Sequence, residues 1–378
     1  MLKKINFYIV FAFCGILVLL IFVPITIISY NDYNSALKLK YSKKSVEVFM
    51  EKDILGDIVS KNKYSKTMDT AITDDDFDYR NIDYYMDINY IDIPDFISVI
   101  NKLKEIGYSS DEVNLLLDKL KIEEINFVIS QEKIIYMFKL PYFDKEKINR
   151  YVLYMISKIL DVTYNLSIED AVTYVNANLD YDFYTNINNI NNEDAGKIDV
   201  LVNKYNKLDN NFVPSDLVMI DKKYTYGAMY LKKEAKEAYE KMAIDMLSVN
   251  LKLHGASAYR SYDLQTELFM AYSVRDGVAA AETYSARPGH SEHQTGLAID
   301  VSSGTNSNSP FESSNEFTWL LDNSYKYGFI LRYLKESEHI TGYIYEPWHY
   351  RYVGIETATY LYNNNLTYDE YIARNLNK

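Results

Sequence analysis

Two segments in the C-terminal part of the chain contain the residue types that metal-dependent catalysis needs. The first reads ARPGHSEHQTGLAID at residues 286–300, and the second reads GYIYEPWHYRYVG at residues 342–354. Four of the five histidines lie between residues 290 and 349, and two of them have a carboxylate close by in the chain. These segments are therefore where we look first for a catalytic site.

A catalytic zinc ion takes three nitrogen or oxygen ligands from the protein and keeps one position open for water. His293, Asp300 and His349 can supply two imidazoles and one carboxylate, and Glu346 can accept a proton from the activated water. Spacing alone does not select these four residues, because an isolated histidine is usually a structural residue. The same donors also accept other divalent metals.

Three longer patterns carry a family resemblance. Ser-x-His-x-x-Gly-x-Ala-x-Asp begins at Ser291, Glu-x-Trp-His begins at Glu346, and Ser-x-Tyr-Arg-Ser-Tyr-x-x-Gln begins at Ser257. In order and spacing they resemble the VanY-type D-alanyl-D-alanine carboxypeptidases, which are zinc peptidases. The resemblance covers roughly residues 198–356.

The resemblance implies a small α+β domain with a central antiparallel sheet and flanking helices. It also implies that His293, Asp300 and His349 bind zinc, that Glu346 is the general base, and that Arg260 stabilises the oxyanion or orients the substrate. A guanidinium aimed at developing charge in a partly dry cleft suits that role. Weaker candidates for substrate contacts are Gln265, Ser291 and Tyr343.

The expected reaction is removal of the terminal D-alanine from peptidoglycan stem peptides. Two alternatives stay open: an L,D-carboxypeptidase acting on tetrapeptide stems with the same metal chemistry, and a non-catalytic module that binds wall peptides. The three motifs do not separate D,D- from L,D-specificity. The discriminating loops lie elsewhere, for instance at residues 304–314.

Several neighbours of the motifs have simpler structural explanations. We expect Trp348 to pack beneath the site, and Gly289 and Gly296 to supply backbone freedom. His290 lies three residues before His293 but is expected to line the substrate cleft rather than bind the metal. The other two histidines, His254 and His339, are expected to be structural or solvated.

The N-terminus predicts a membrane anchor. Residues 7–29 carry no charge, and as a helix they would extend roughly 34 Å, enough to cross a bilayer core of about 30 Å. A cleavable signal peptide would have a shorter apolar core of about 7–15 residues, so we favour an uncleaved anchor. Lys3 and Lys4 favour an inside N-terminus, although lysines at residues 38–44 weaken that argument. The implied wall substrate favours a single-pass protein of a bacterial membrane with its C-terminal domain outside.

Three domains follow from these patterns: an anchor at residues 1–30, a largely helical spacer or interaction region at 31–195, and the zinc-peptidase domain at 196–378. Amphipathic spacing predicts short helices between residues 93 and 175, including one that ends at Gly107 and one capped by Ser109 or Ser110. The region 93–180 could dock wall-synthesis partners. Alternation at residues 83–92 suggests strands or an extended linker, and the polar residues 186–197 suggest a linker.

Charge and cysteine content narrow the remaining possibilities. The chain has 378 residues and a formal net charge of −13, which argues against a nucleic-acid partner. Its single cysteine, Cys14, lies in the apolar N-terminal run, so the rest of the chain holds neither a disulfide nor a thiolate metal site.

Overall fold

The computed structural model describes residues 30–159, 166–303 and 310–375, which form two compact units. The first unit comprises residues 30–139 and 144–159, and the second comprises 140–143, 166–303 and 310–375. The predicted anchor at residues 7–29 lies outside the described residues, as does most of the loop at 304–314. Within the described part of the chain, none of the helices combines the length and the apolar character needed to cross a bilayer.

All regular elements in the described residues of the first unit are helical, and from residue 93 onward the amphipathic spacing predicts them. Gly107 ends one helix with φ of 112°, and the Ser109 hydroxyl caps the next in a capping box with Glu112. Its helices are α1 Lys43–Glu51, α2 Leu55–Ser60, α3 Lys66–Ala71, α4 Ile82–Asp87, α5 Phe96–Ile106, α6 Ser110–Lys119, α7 Ile122–Ser130 and α8 Ile148–Ile159.

Two local predictions for the polar segments were wrong. Residues 83–87 lie in α4 and not in a strand: Tyr84, Tyr85 and Met86 are all buried, whereas a half-buried strand would expose every second residue. Residues 88–92 form neither helix nor strand, which agrees with the alternative of an extended linker for that part. Residues 186–197 are not a linker. Asn188–Asn189 pairs in parallel with Asn206–Lys207, and Asn191 caps a short helix.

The second unit surrounds several small sheets with helices. Its helices are α9 Ile168–Asn176, α10 Asn192–Ala195, α11 Lys233–Ser248, α12 Tyr262–Asp276, α13 Val278–Ala281, α14 Asn315–Asn323, α15 Glu338–Thr341, α16 Ile355–Asn364 and α17 Tyr368–Ala373. Its strands are β1 Asn188–Asn189, β2 Asn206–Lys207, β3 Leu217–Met219, β4 Tyr230–Lys232, β5 His254–Ser257, β6 Ala298–Ser302, β7 Phe329–Leu331 and β8 His349–Tyr352. This unit already includes residues 166–195, which the sequence assigned to the spacer.

The central sheet is antiparallel and has the strand order β5–β6–β8–β7. One face packs on the main core, to which β6 contributes Ile299 and Val301 and β8 contributes Tyr350 and Tyr352. The buried side of α11 completes that core with Tyr239, Met242 and other residues. Since side chains alternate along a strand, Asp300 and His349 point to the opposite face.

Candidate active site

The three predicted metal ligands converge on the face of the sheet opposite the core. Asp300 in β6 lies directly across from His349 in β8, and His293 lies in the 3₁₀ turn Glu292–Thr295 that leads into β6. One ligand atom from each residue lies within 4.8 Å of the other two. Asp300 Oδ1 is 3.1 Å from His349 Nδ1, and Asp300 Oδ2 is 3.4 Å from His293 Nε2.

The atoms that point to the space between His293, Asp300 and His349 are lone-pair donors of the kind that bind a cation. His293 Nδ1 lies 2.7 Å from the carbonyl oxygen of Ala258 and donates to it, which leaves the Nε2 lone pair facing Asp300. Both His293 Nε2 and Asp300 Oδ1 are buried and have no hydrogen-bond partner among the described residues. Two imidazoles and one carboxylate with an open side match the ligand set of a catalytic zinc ion.

The electrostatic surroundings favour the protonation states in which His293 and Asp300 can bind a metal. Burial lowers the pKa of His293 to about 4, with a further contribution from Arg260, so the imidazole is neutral. Burial disfavours charge on Asp300, but His293 and His349 outweigh it and hold the pKa of that carboxyl well below its usual range. The centre therefore presents a neutral imidazole beside an ionised carboxylate.

Glu346 lies beside the ligands in the wall of a cavity of about 540 Å³. Its side chain is buried, and Oε2 is 3.7 Å from His349 Nδ1. Burial raises the pKa of Glu346 to about 7, although the nearby His349 opposes the shift. A carboxylate whose pKa lies near neutrality is suited to accept and release a proton.

Arg260 reaches the same cavity from the loop after β5. Its Nη2 is 3.6 Å from Asp300 Oδ2, and its Nη1 donates to Gln265 Oε1 at 2.9 Å. The Gln265 amide in turn donates to the carbonyl of Ala286 at 2.8 Å. Gln265 lines the cavity, and both ends of its side chain bind protein groups, one of them Arg260.

The other two predicted substrate contacts also line the cavity. Ser291 is buried at the start of the 3₁₀ turn. The Tyr343 hydroxyl is 3.4 Å from that of Tyr184, and its ring packs 4.9 Å from the ring of Tyr333. Trp348 differs from expectation: it lines the cavity and remains 39% exposed, so it does not pack beneath the site.

The neighbouring glycine and histidine residues are structural. Gly296 has φ of 69°, and an added Cβ would lie 2.8 Å from Leu217 Cδ2, so the turn requires glycine. His290 is buried against Tyr184, and its Nδ1 is 2.8 Å from the Asn203 carbonyl. It is not among the residues that line the cavity, so its expected place in the substrate cleft was wrong. His254 stacks on Tyr226, and His339 packs against Tyr174.

Sequence reasoning missed Glu292, Arg332 and Tyr333. The Glu292 and Arg332 side chains are almost fully buried and form an ion pair, with Arg332 Nε 2.7 Å from Glu292 Oε1. The Tyr333 ring lies 5.0 Å from the His349 ring. A carboxylate next to a metal ligand was a usable signal for Glu292, but Arg332 and Tyr333 come near the site only through the fold.

An antiparallel sheet that presents an open three-ligand metal centre, a buried carboxylate and an arginine defines a metal-dependent hydrolase. The family described as VanY, D-alanyl-D-alanine carboxypeptidase, matches residues 228–355. The bifunctional D-Ala-D-Ala dipeptidase and carboxypeptidase VanXYC of Enterococcus gallinarum is 32% identical over 177 residues, which are 45% of this chain and 91% of VanXYC. The chain therefore belongs to the VanY family of carboxypeptidases.

Two other relatives are more similar in sequence. YodJ of Bacillus subtilis (strain 168), a carboxypeptidase by its name, is 43% identical over 181 residues, which are 46% of this chain and 66% of YodJ. The D-alanyl-D-alanine carboxypeptidase of Enterococcus faecalis is 43% identical over 127 residues, 31% of this chain and 46% of that protein. The matches thus span less than two thirds of these two proteins.

A solved structure of the LD-carboxypeptidase LdcB is also similar. It is 41% identical, with a TM-score of 0.47, and the match covers 50% of this chain and 91% of that one.

Proposed function

We propose that this chain is a zinc-dependent carboxypeptidase that removes the terminal D-alanine from peptidoglycan stem peptides. The observation that carries the proposal is the convergence of His293, Asp300 and His349 within 4.8 Å in a cavity that also contains Glu346 and Arg260. Membership of the VanY family supports D-alanyl-D-alanine as the substrate class.

In the proposed reaction, different residues of the site bind the metal, transfer the proton and stabilise the developing charge. When bound, zinc supplies a Lewis acid that activates water and polarises the scissile carbonyl. Glu346 accepts the proton of the attacking water and delivers it to the leaving amine of D-alanine. Arg260 faces the negative charge that develops on the carbonyl oxygen, and Gln265 keeps its guanidinium in place. The cavity wall at Tyr343 and Trp348 contacts the peptide.

The test is hydrolysis of synthetic stems by the full-length chain. We expect zinc-dependent loss of one D-alanine from a pentapeptide ending in D-Ala-D-Ala, followed by mass spectrometry, and loss of activity with a chelator. Cleavage of the tetrapeptide alone would move the assignment to an L,D-carboxypeptidase. Zinc binding without cleavage of either peptide would contradict the proposal and favour the wall-peptide-binding module.

The Glu346→Gln variant should separate binding from chemistry. The amide keeps the shape of the side chain but cannot accept the water proton, so we expect kcat to fall by about 10²- to 10⁴-fold. Zinc content, measured by atomic emission, should stay at the wild-type level. A variant that keeps more than a tenth of the wild-type kcat would exclude Glu346 as the base.

We also propose that residues 7–29 anchor the protein in a bacterial membrane with the second unit outside, where the wall peptides lie. The absence of charge in this stretch supports the proposal. Protease added to intact spheroplasts should digest the second unit of the full-length chain, and the protein should sediment with membranes at high salt. Protection from the protease would contradict this orientation. Docking of wall-synthesis partners by residues 93–180 stays a prediction.

A further inference from the structure

A chain of buried charged groups begins behind His349, on the side away from the metal centre. His349 Nδ1 faces Asp300, whereas Nε2 lies 3.5 Å from Glu292 Oε2. Neither of these last two atoms has a hydrogen-bond partner among the described residues, and both are buried. They are therefore available to each other.

The chemistry of a metal-binding imidazole explains this pairing. If Nδ1 gives its lone pair to the metal, the neutral ring must carry its proton on Nε2. A buried N–H without an acceptor is costly, and Glu292 Oε2 is the carboxylate oxygen placed to receive it. A carboxylate in this position fixes both the tautomer and the orientation of the ring.

Glu292 is itself held by two buried arginines. Its Oε1 accepts from Arg332 Nε at 2.7 Å and lies 3.3 Å from Arg351 Nη1. The Glu292, Arg332 and Arg351 side chains are almost fully buried, so these ion pairs are shielded from water. Because Oε1 is occupied by the arginines, Oε2 remains directed at His349.

Arg332 is in turn bound by a residue of α17. Arg332 Nη1 donates to Asp369 Oδ2 at 2.7 Å, and Asn203 Nδ2 donates to Asp369 Oδ1 at 2.8 Å. Asp369 lies in the first turn of α17, where Thr367 and Glu370 form a capping box. Both Asp369 and Asn203 fall outside residues 228–355, the part of the chain that matches the family.

We propose that Glu292 and Asp369 are positioning residues for the metal centre. Glu292 holds the Nε2 proton of His349 so that Nδ1 faces the metal, and Asp369 holds Glu292 in place through Arg332. This inference rests on the proposed zinc site. It assigns to the C-terminal helix, beyond the family-matched region, a role in metal binding.

The test measures the zinc affinity of the full-length chain by competition with a chromophoric chelator. We expect Glu292→Gln and Asp369→Asn each to weaken zinc binding by about 10- to 100-fold, the usual effect of removing a partner of a metal ligand. The matched control is Glu370→Gln, on the same helix turn. The amide oxygen of the substituted side chain can still accept the two Thr367 hydrogen bonds of the capping box, and residue 370 does not touch Arg332 or Glu292, so zinc affinity should stay within twofold of wild type.

A second measurement uses the wild-type protein, so it does not depend on whether a variant folds. In zinc-loaded protein with ¹⁵N-labelled histidine, NMR should find the His349 proton on Nε2. A proton on Nδ1, or wild-type zinc affinity in both folded variants, would overturn the inference. Failure of the wild-type chain to bind zinc would instead overturn the proposed function, and this inference with it.

Discussion

At the residue scale, the orientation of each side chain decides what it offers to the centre. The Ala258 carbonyl turns His293 so that Nε2 faces inward, whereas His349 presents Nδ1. Asp300 has one oxygen near each of the two rings. Arg260 approaches the same carboxylate from the cavity side, so its guanidinium faces the reacting centre.

The geometry of Arg260 predicts that lysine cannot replace it. One guanidinium nitrogen binds Gln265 while another remains near the centre, and a single ammonium group cannot do both. We expect Arg260→Lys to lower kcat/KM on the pentapeptide by about 10²- to 10³-fold, with zinc affinity close to wild type.

The matched control for this prediction is Arg287→Lys. Arg287 belongs to the same unit and pairs with Glu282, but it is not among the residues that line the cavity. Its replacement should change kcat/KM by less than about threefold. Equal losses in the two variants would show that Arg260 acts through general stability and not through the reaction.

At the element scale, the register of β6 and β8 positions the metal centre. Asp300 pairs with His349, and their strand neighbours Ile299 and Tyr350 point into the core. A slip of one residue would exchange the two faces and bury the ligands in the core. The chain enters β6 through Gly296, which takes up a left-handed conformation between the His293 turn and the strand.

The turn at Gly296 should therefore tolerate no side chain. Gly296→Ala places a Cβ in a left-handed conformation and within 2.8 Å of Leu217 Cδ2. We expect a loss of about 1–2 kcal/mol in the free energy of unfolding, measured by denaturant titration.

Gly227→Ala is the control for this substitution. No atom lies within 4 Å of the added Cβ at that position, so its effect should stay within about 0.5 kcal/mol. A Gly296→Ala protein as stable as wild type would show that the turn can relax at no cost.

At the scale of the whole molecule, the chain contains two compact units, and the metal site lies in one of them. All three metal ligands belong to the second unit, as do Glu292, Arg332 and Asp369 behind them. The first unit is helical in its described residues. A ligand that binds only folded protein stabilises the cooperative unit that contains its site. Zinc should therefore stabilise the second unit and leave the stability of the first unchanged.

Hydrogen exchange can measure this difference within one sample. At free zinc about 1,000 times its Kd, the second unit should gain about 4 kcal/mol, so its slowest amides in β6 and β8 should exchange much more slowly. Amides of α5 and α6 in the first unit should not change. Asp300→Asn should remove the protection, and equal protection of both units in the wild type would contradict a site confined to the second.

Features encoded over short stretches of chain could be predicted from the sequence. The helices that end at Gly107 and begin after Ser109 follow from a stop residue and a cap within a few positions. The ligand residues were recognisable for a similar reason: His293 and Asp300 share one motif, and Glu346 and His349 share another. In both cases the residues are only a few positions apart in the chain. The local backbone conformation therefore fixes where they lie relative to one another.

Other features depended on contacts between distant parts of the chain. Glu292 pairs with Arg332, which is forty positions away in the chain, and Arg332 pairs with Asp369, thirty-seven positions away. A local sequence pattern therefore predicts neither pair. The exposure of Trp348 and the burial of three consecutive residues in α4 likewise depend on what packs against them. Local spacing selects the residues that can bind the metal, but only packing of the whole unit determines which atom of each residue faces it and what holds that atom in place.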